Sequence, residues 1–186
     1  MGVIFLLLGV WILWFVHPYV RCLRKRIVCY EKLKRLCKSK GFSMQGNHLF
    51  WLLGSRNGKR FDLYIETPTN ILGVKLFGVV HHLRTLVFVE DGTYFLRRHM
   101  GVMLWIKDET LDGKSRKLLQ YDFFCKNCEM SPEKKKQGIL LVNPVPVEML
   151  QLFEDGKEEI LNPGDKVRDY EVFNLSGMLM KLENIE

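Results

Sequence analysis

The order of apolar and polar positions divides this chain into two unlike parts. From Val3 to Val16 (VIFLLLGVWILWFV) the run is apolar without a break, and His17 is the only ionisable side chain before Arg21. A helix of about 20 residues rising about 1.5 Å per residue reaches roughly 30 Å, the thickness of a bilayer core. A buried core helix would show a polar face, and this run is apolar all the way round. A cleaved signal peptide would carry its positive charge before the run and small residues after it, where this chain has His17-Pro18-Tyr19-Val20. The pattern therefore predicts an uncleaved spanning helix, with Trp11, Trp14 and Tyr19 toward the interface. Next comes a helical period: Ile27, Tyr30, Leu33, Leu36 and Cys37 recur every three or four residues with Lys and Arg between them. Gly41 is placed to end that helix, which is either continuous with the span or kinked or restarted at Pro18.

Beyond Gly41 the texture changes to short β-branched and aromatic runs separated by turns. His48–Leu53 is a candidate strand before the turn Ser55-Arg56-Asn57-Gly58. Arg60–Glu66 alternates, with Phe61, Leu63 and Ile65 on one face and Asp62, Tyr64 and Glu66 on the other. Ile71–Val80 reads as a strand, and Leu83–Val89 with Thr93–Arg98 reads as a hairpin around Glu90-Asp91-Gly92. Further on, Ser131-Pro132-Glu133 resembles a helix start, Ile139–Val142 a buried strand and Val147–Phe153 a helix. Asn162–Asp165 reads as a turn, Tyr170–Phe173 as a last strand and Ser176–Leu182 as a closing helix. These elements predict an α+β protein in three parts: a transmembrane anchor at 1–20, a basic juxtamembrane helix at 21–40, and one domain at 41–186. That domain would hold a mixed, mainly antiparallel sheet with a few helices.

Charge sharpens this picture. The chain of 186 residues carries +7. Residues 21–40 hold nine Lys and Arg against Glu31 alone, a local +8, so the remainder is close to −1. The basicity is therefore juxtamembrane, and a uniformly basic nucleic-acid surface is not indicated. Arg21, Arg24, Lys25 and Arg26 directly follow the apolar run. The positive-inside rule then puts the domain in the cytoplasm at the cell membrane, the N-terminus outside, and these four cations at anionic lipid headgroups.

Five cysteines form no regular framework, and thiols facing the cytoplasm are expected to be reduced. Cys22 is a candidate for lipidation. Cys125-Lys126-Asn127-Cys128 is half of a zinc knuckle without a second pair, so Cys125 and Cys128 are candidate metal ligands only in isolation. His48, His81, His82 and His99 have no ligand spacing. Clusters at Arg97-Arg98-His99, Lys114–Lys117 and Lys134–Lys136 fit solvated turns as readily as a basic patch. Gly-rich phosphate loops, His-Glu-x-x-His and Gly-x-Ser-x-Gly are absent.

Asp62 at the start of the clearest strand, and Leu72-Gly73-Val74-Lys75 on the next, carry a family likeness. Over residues 27–90 the order of helix, hairpin and strands resembles the start of the restriction-endonuclease-like fold of the PD-(D/E)xK nucleases. In that family an Asp and an acidic-x-Lys motif hold a divalent metal and activate water. The resemblance implies that Asp62 and Lys75 fill the Asp and Lys positions, with Mg²⁺ as the metal. Gly73 departs from it by standing where a carboxylate is needed, although Glu66, four residues along the strand, could serve. The residue pattern without the resemblance sets Asp62 and Glu66 on a solvated strand face and Lys75 on the surface. The expected function is a membrane-anchored cytoplasmic binding or scaffolding domain, non-enzymatic and without a cofactor, that meets the bilayer and a protein partner. The alternative is a degenerate or atypical metal-dependent nuclease-like domain.

Overall fold

A computed structural model describes residues 2–46, 60–77, 84–98, 116–118 and 133–185, with backbone alone for residues 2–15, 98, 116 and 117. One helix, α1 (Gly2–Lys40), runs without interruption for 39 residues, with Pro18 inside it. Of the two readings at Pro18, the continuous helix is the one found. The helix ends where glycine can take a left-handed backbone: Gly41 has φ 73°, Phe42 N donates to Cys37 O at 2.8 Å and Gly41 N donates to Lys38 O at 3.3 Å. These two bonds satisfy carbonyls that the helix end leaves open, and Phe42, partly buried, packs against the core cluster that includes Cys37.

Eleven strands follow among the described residues: β1 (Ser43–Gly46), β2 (Leu63–Glu66), β3 (Asn70–Phe77), β4 (Arg84–Val89), β5 (Thr93–Arg98), β6 (Arg116–Lys117), β7 (Lys135–Val142), β8 (Glu148–Leu152), β9 (Glu158–Ile160), β10 (Lys166–Val167) and β11 (Tyr170–Asn174). The short helix α2 (Leu175–Glu183) closes them. They form a six-stranded sheet, β1-β2-β3-β7-β11-β10, and a five-stranded sheet, β6-β5-β4-β8-β9. Strands β3, β7 and β11 run parallel at the centre of the first sheet, and β4 and β8 run parallel in the second. The remaining pairings are antiparallel. Both connections from β3 to β4 and from β7 to β8 pass from one sheet to the other, and Asn143 N donating to Phe77 O and Val147 N to Arg84 O continue the pairing between them.

The result is a mixed α+β arrangement in layers. Cys29, Leu33 and Cys37 of α1, with Met178 and Leu182 of α2, pack on Leu63, Ile65, Leu72, Val74, Ile139 and Leu141 of the first sheet. The opposite face of that sheet contributes Leu140, Val142 and Val172 to a second core with Leu86, Phe88 and Met149 of the second sheet. Burying each such aliphatic side chain stabilises the fold by about 1.5–3 kcal/mol. Lys40 fixes the two helix ends, its Nζ donating to Glu183 O at 2.7 Å.

Several expectations change. Residues 135–142 are all strand, and no helix starts at Glu133; residues 148–152 are strand and not helix. In both places the pairing with β3 and β4 overrides local propensity. Phe61 does not share a face with Leu63 and Ile65, because the backbone bends before β2 and Phe61 joins Tyr64 in the inter-sheet core. On α1 the buried stripe is Cys22, Cys29, Leu33 and Cys37, while Ile27 is 40% exposed. The hairpin around Asp91-Gly92, the turn at Asn162–Asp165 and the last strand stand where the pattern puts them. The closing helix begins at Leu175, with Asn174 Oδ1 accepting from Gly177 N at 2.7 Å. The strand at 48–53, its turn, the last residues of the Ile71–Val80 strand, Leu83 and Ser131-Pro132 lie outside the described residues.

Among the described residues no helix is long and apolar enough to cross a membrane. The predicted anchor falls mostly on residues 1–15, whose side chains lie outside that description.

Candidate functional site

Two clusters of charged side chains merit description, one inside the first sheet and one at its helix-bearing end. The first brings together two residues that lie 13 positions apart. Lys75 Nζ meets Asp62 Oδ1 at 2.9 Å, and Leu76 N donates to Asp62 Oδ2 at 2.9 Å. Lys75 Nζ also donates to Arg60 O at 3.2 Å. Asp62 and Lys75 are 4% and 5% exposed, so neither stands on the solvated surface that strand alternation assigns to it. The reason is the bend before β2. Asp62 N still pairs with Val74 O, but from there the Asp62 carboxylate takes over as acceptor for the next N–H of β3. Burial pushes the Asp62 carboxyl above its ordinary range, opposed by the Lys75 ammonium, the Leu76 N–H and the more distant Arg26 charge.

Gly73 explains the rest of this neighbourhood. It lies opposite Gly138 across the parallel β3–β7 ladder. A Cβ on Gly73 would come within 2.5 Å of the Phe61 ring, and one on Gly138 within 2.5 Å of the Tyr170 ring. Phe61 and Tyr170 fill this glycine trough edge to face, with ring centroids 6.3 Å apart. The space that a carboxylate at position 73 would enter is therefore occupied by an aromatic ring.

Glu66 is not part of this cluster. It lies four residues along the chain, about 13 Å at strand rise, and its Oε1 pairs with Lys134 Nζ at 2.9 Å. One carboxylate with both oxygens engaged, a lysine, and a glycine beneath a ring do not fit Mg²⁺, which needs several free oxygen ligands at about 2.1 Å. No hydrolytic step follows from this cluster. Among the described residues no group of three or more His, Cys, Asp or Glu side chains could hold a metal ion. Cys125 and Cys128 lie outside the described residues.

The second cluster lies on α1. Helical spacing sorts the four cations Arg21, Arg24, Lys25 and Arg26 onto two faces. Arg21, Arg24 and Lys25 share the outward face and line an open groove of about 460 Å³. Val28, Val145 and Leu175 supply its apolar lining, and Asn143 its polar one. Arg26 lies instead toward the buried stripe, half-buried, where its charge reaches Asp62. The opposite wall is the β7–β8 loop, tied to the helix by Asn143 Nδ2 donating to Lys25 O at 3.0 Å. None of Arg21, Arg24 and Lys25 takes part in an ion pair among the described residues.

Other cations with defined partners are committed elsewhere. Arg97 makes a two-point contact with Glu158 at 2.9 and 2.6 Å, which commits it to an ion pair and not to an open basic patch. Lys134, paired with Glu66, is committed in the same way. The thiols of α1 are buried: Cys22 is 5% exposed, and burial pushes Cys29 up to about 12 and Cys37 up to about 11. The pattern of charge alone missed the contribution of Asn143 and Val145 to the groove, which depends on a contact 118 residues apart in sequence. Comparison with known proteins finds no matching family model, no matching curated protein and no matching solved structure.

Proposed function

We propose that this chain is a membrane-anchored binding or scaffolding module whose α+β domain is held against the cytoplasmic leaflet by α1. The observation that carries this reading is the continuity of the helix. Its backbone is unbroken from Gly2 to Lys40, and its second half forms a wall of the domain core through Cys29, Leu33 and Cys37. The apolar run Val3–Val16 therefore leads into the domain without a flexible linker. Twenty residues of helix on each side of Val20 give roughly 30 Å for the bilayer core and a similar length along the domain. Such a connection fixes the orientation of a partner-binding surface relative to the membrane.

The reading is tested with the full chain expressed in cells. It should stay with membranes after a carbonate wash, and release into the wash would refute a spanning helix. Protease added to intact cells should leave a C-terminal tag untouched and cut it once the membrane is opened; cleavage in intact cells would reverse the orientation.

The nuclease-like alternative draws support from the meeting of Asp62 and Lys75. Its discriminating assay is cleavage of DNA and RNA by the full chain in Mg²⁺ or Mn²⁺, with Asp62→Asn as control. The expected result is no metal-dependent cleavage. Cleavage that the substitution abolishes would replace the binding-module reading.

A further inference from the structure

We propose that the groove between α1 and the β7–β8 loop holds the phosphate of an anionic phospholipid headgroup, with Val145 and Val147 against the adjoining acyl region. This rests on the anchored reading above and adds a discrete lipid site to it.

Charge, shape and position converge on that occupant. Arg21, Arg24 and Lys25 face the groove at helical spacing, and no acidic side chain lines it. Asp62, the carboxylate whose field reaches Arg26 on α1, is spent on Lys75. The groove is built, since the bond from Asn143 to Lys25 O holds its two walls together. Arginine suits the task because its planar fork binds phosphate oxygens at two points.

A purely polar ligand would not explain the apolar half of the site. Val145 and Val147 are 42% and 52% exposed on the loop, and Val16, Tyr19, Val20 and Leu23 are 40–58% exposed on the helix leading to the groove. Apolar side chains exposed together beside cations fit the boundary between headgroups and acyl chains. The depth agrees, because Arg21 directly follows the stretch predicted to span. A nucleic acid is disfavoured, since the groove lining holds no aromatic side chain on which a base could stack.

The experiment uses the full chain in detergent, followed by native mass spectrometry with phosphatidylglycerol and phosphatidylcholine in competition. Thermal stabilisation by phosphatidylglycerol and by inorganic phosphate is measured in parallel. The groove variant Arg21→Gln/Arg24→Gln/Lys25→Gln is compared with Lys32→Gln/Lys34→Gln/Lys38→Gln, which removes the same charge from exposed positions further along α1. Wild type should retain phosphatidylglycerol in preference. The groove variant should lose about fivefold in affinity per cation, roughly a hundredfold in all, while the control variant keeps the preference. Val145→Asp should weaken retention without altering the melting temperature.

Equal losses in both charge variants would overturn the site and leave only diffuse surface attraction. Stabilisation by inorganic phosphate equal to that by the lipid would overturn the lipid assignment. A chain that resists the carbonate wash but shows no lipid preference sinks this inference alone. A chain released by the wash sinks the anchored reading beneath it.

Discussion

The Asp62–Lys75 pair and the Arg21-Arg24-Lys25 groove use similar cations to opposite ends. Lys75 is 5% exposed, and its Nζ donates to the Asp62 carboxylate and to the Arg60 carbonyl inside the fold. The groove cations stand on the outer face of a helix, without ion-pair partners among the described residues. A buried charge must be matched within the fold, because desolvation costs several kcal/mol per ion. An exposed charge keeps its water and is free to exchange it for a ligand. Lysine or arginine at a given position thus says little about function until its partner and surroundings are known.

That contrast is open to direct attack, and the largest effect belongs to the buried pair. Asp62→Ala strands the Lys75 ammonium and should cost about 3–5 kcal/mol in urea unfolding. A loss below about 1 kcal/mol would mean that the pair is as solvated as the groove. Next comes the buried face of the helix that carries the groove. Cys29 and Cys37 hold their protons in the fold to about 12 and about 11, against 9.0 for an exposed thiol. Above pH 9 the unfolded chain releases these protons and the folded chain keeps them. Stability is therefore complete below pH 9 and falls as pH rises toward 11–12, by about 1.4 kcal/mol per pH unit for each thiol. Urea unfolding between pH 8 and 10.5, with Cys29→Ala/Cys37→Ala for comparison, measures it. A wild-type slope no steeper than the variant's would show that neither thiol is shielded.

Gly73→Ala pushes a methyl into the Phe61 ring and should cost about 1–3 kcal/mol. Gly73→Glu, which puts a carboxylate where the PD-(D/E)xK motif has one, should destabilise further and confer no Mg²⁺-dependent cleavage; a stable, active variant would reopen the trough as a metal site. The smallest change in stability belongs to the groove. Arg21→Gln/Arg24→Gln should leave the unfolding free energy within about 0.5 kcal/mol of wild type. A larger loss would turn those arginines into structural residues like Lys75.

Several features were legible from local pattern because local physics decides them. Gly41 ends α1 since a left-handed residue costs glycine nothing there, and Asp91-Gly92 turns the β4–β5 hairpin for a related reason. The hydrophobic period around Leu33 gave the helix, and the charge subtraction placed the basicity on its segment. Where two elements compete for the same residues, the reading from pattern failed. Pro132 and the residues after Pro146 carry helix-like signals, yet strands β7 and β8 form because each finds a parallel partner far away in sequence.

The candidate sites divide along the same line. Asp62, Lys75 and the four cations of residues 21–26 could be named from the sequence, and so could the departure at Gly73. Which of them meet was beyond it. Only the bend before β2 turns Asp62 from a solvated strand face into the acceptor for Leu76 N and the partner of Lys75. Only the ring of Phe61 gives a reason for glycine at 73. Only the bond from Asn143 to Lys25 O closes a basic helix face into a groove. Composition and period report on neighbours in sequence, within a few residues and a few tenths of a kcal/mol. The burial of a charge and the shape of a cavity depend on groups brought together across the whole chain, where low dielectric and close packing multiply each contact.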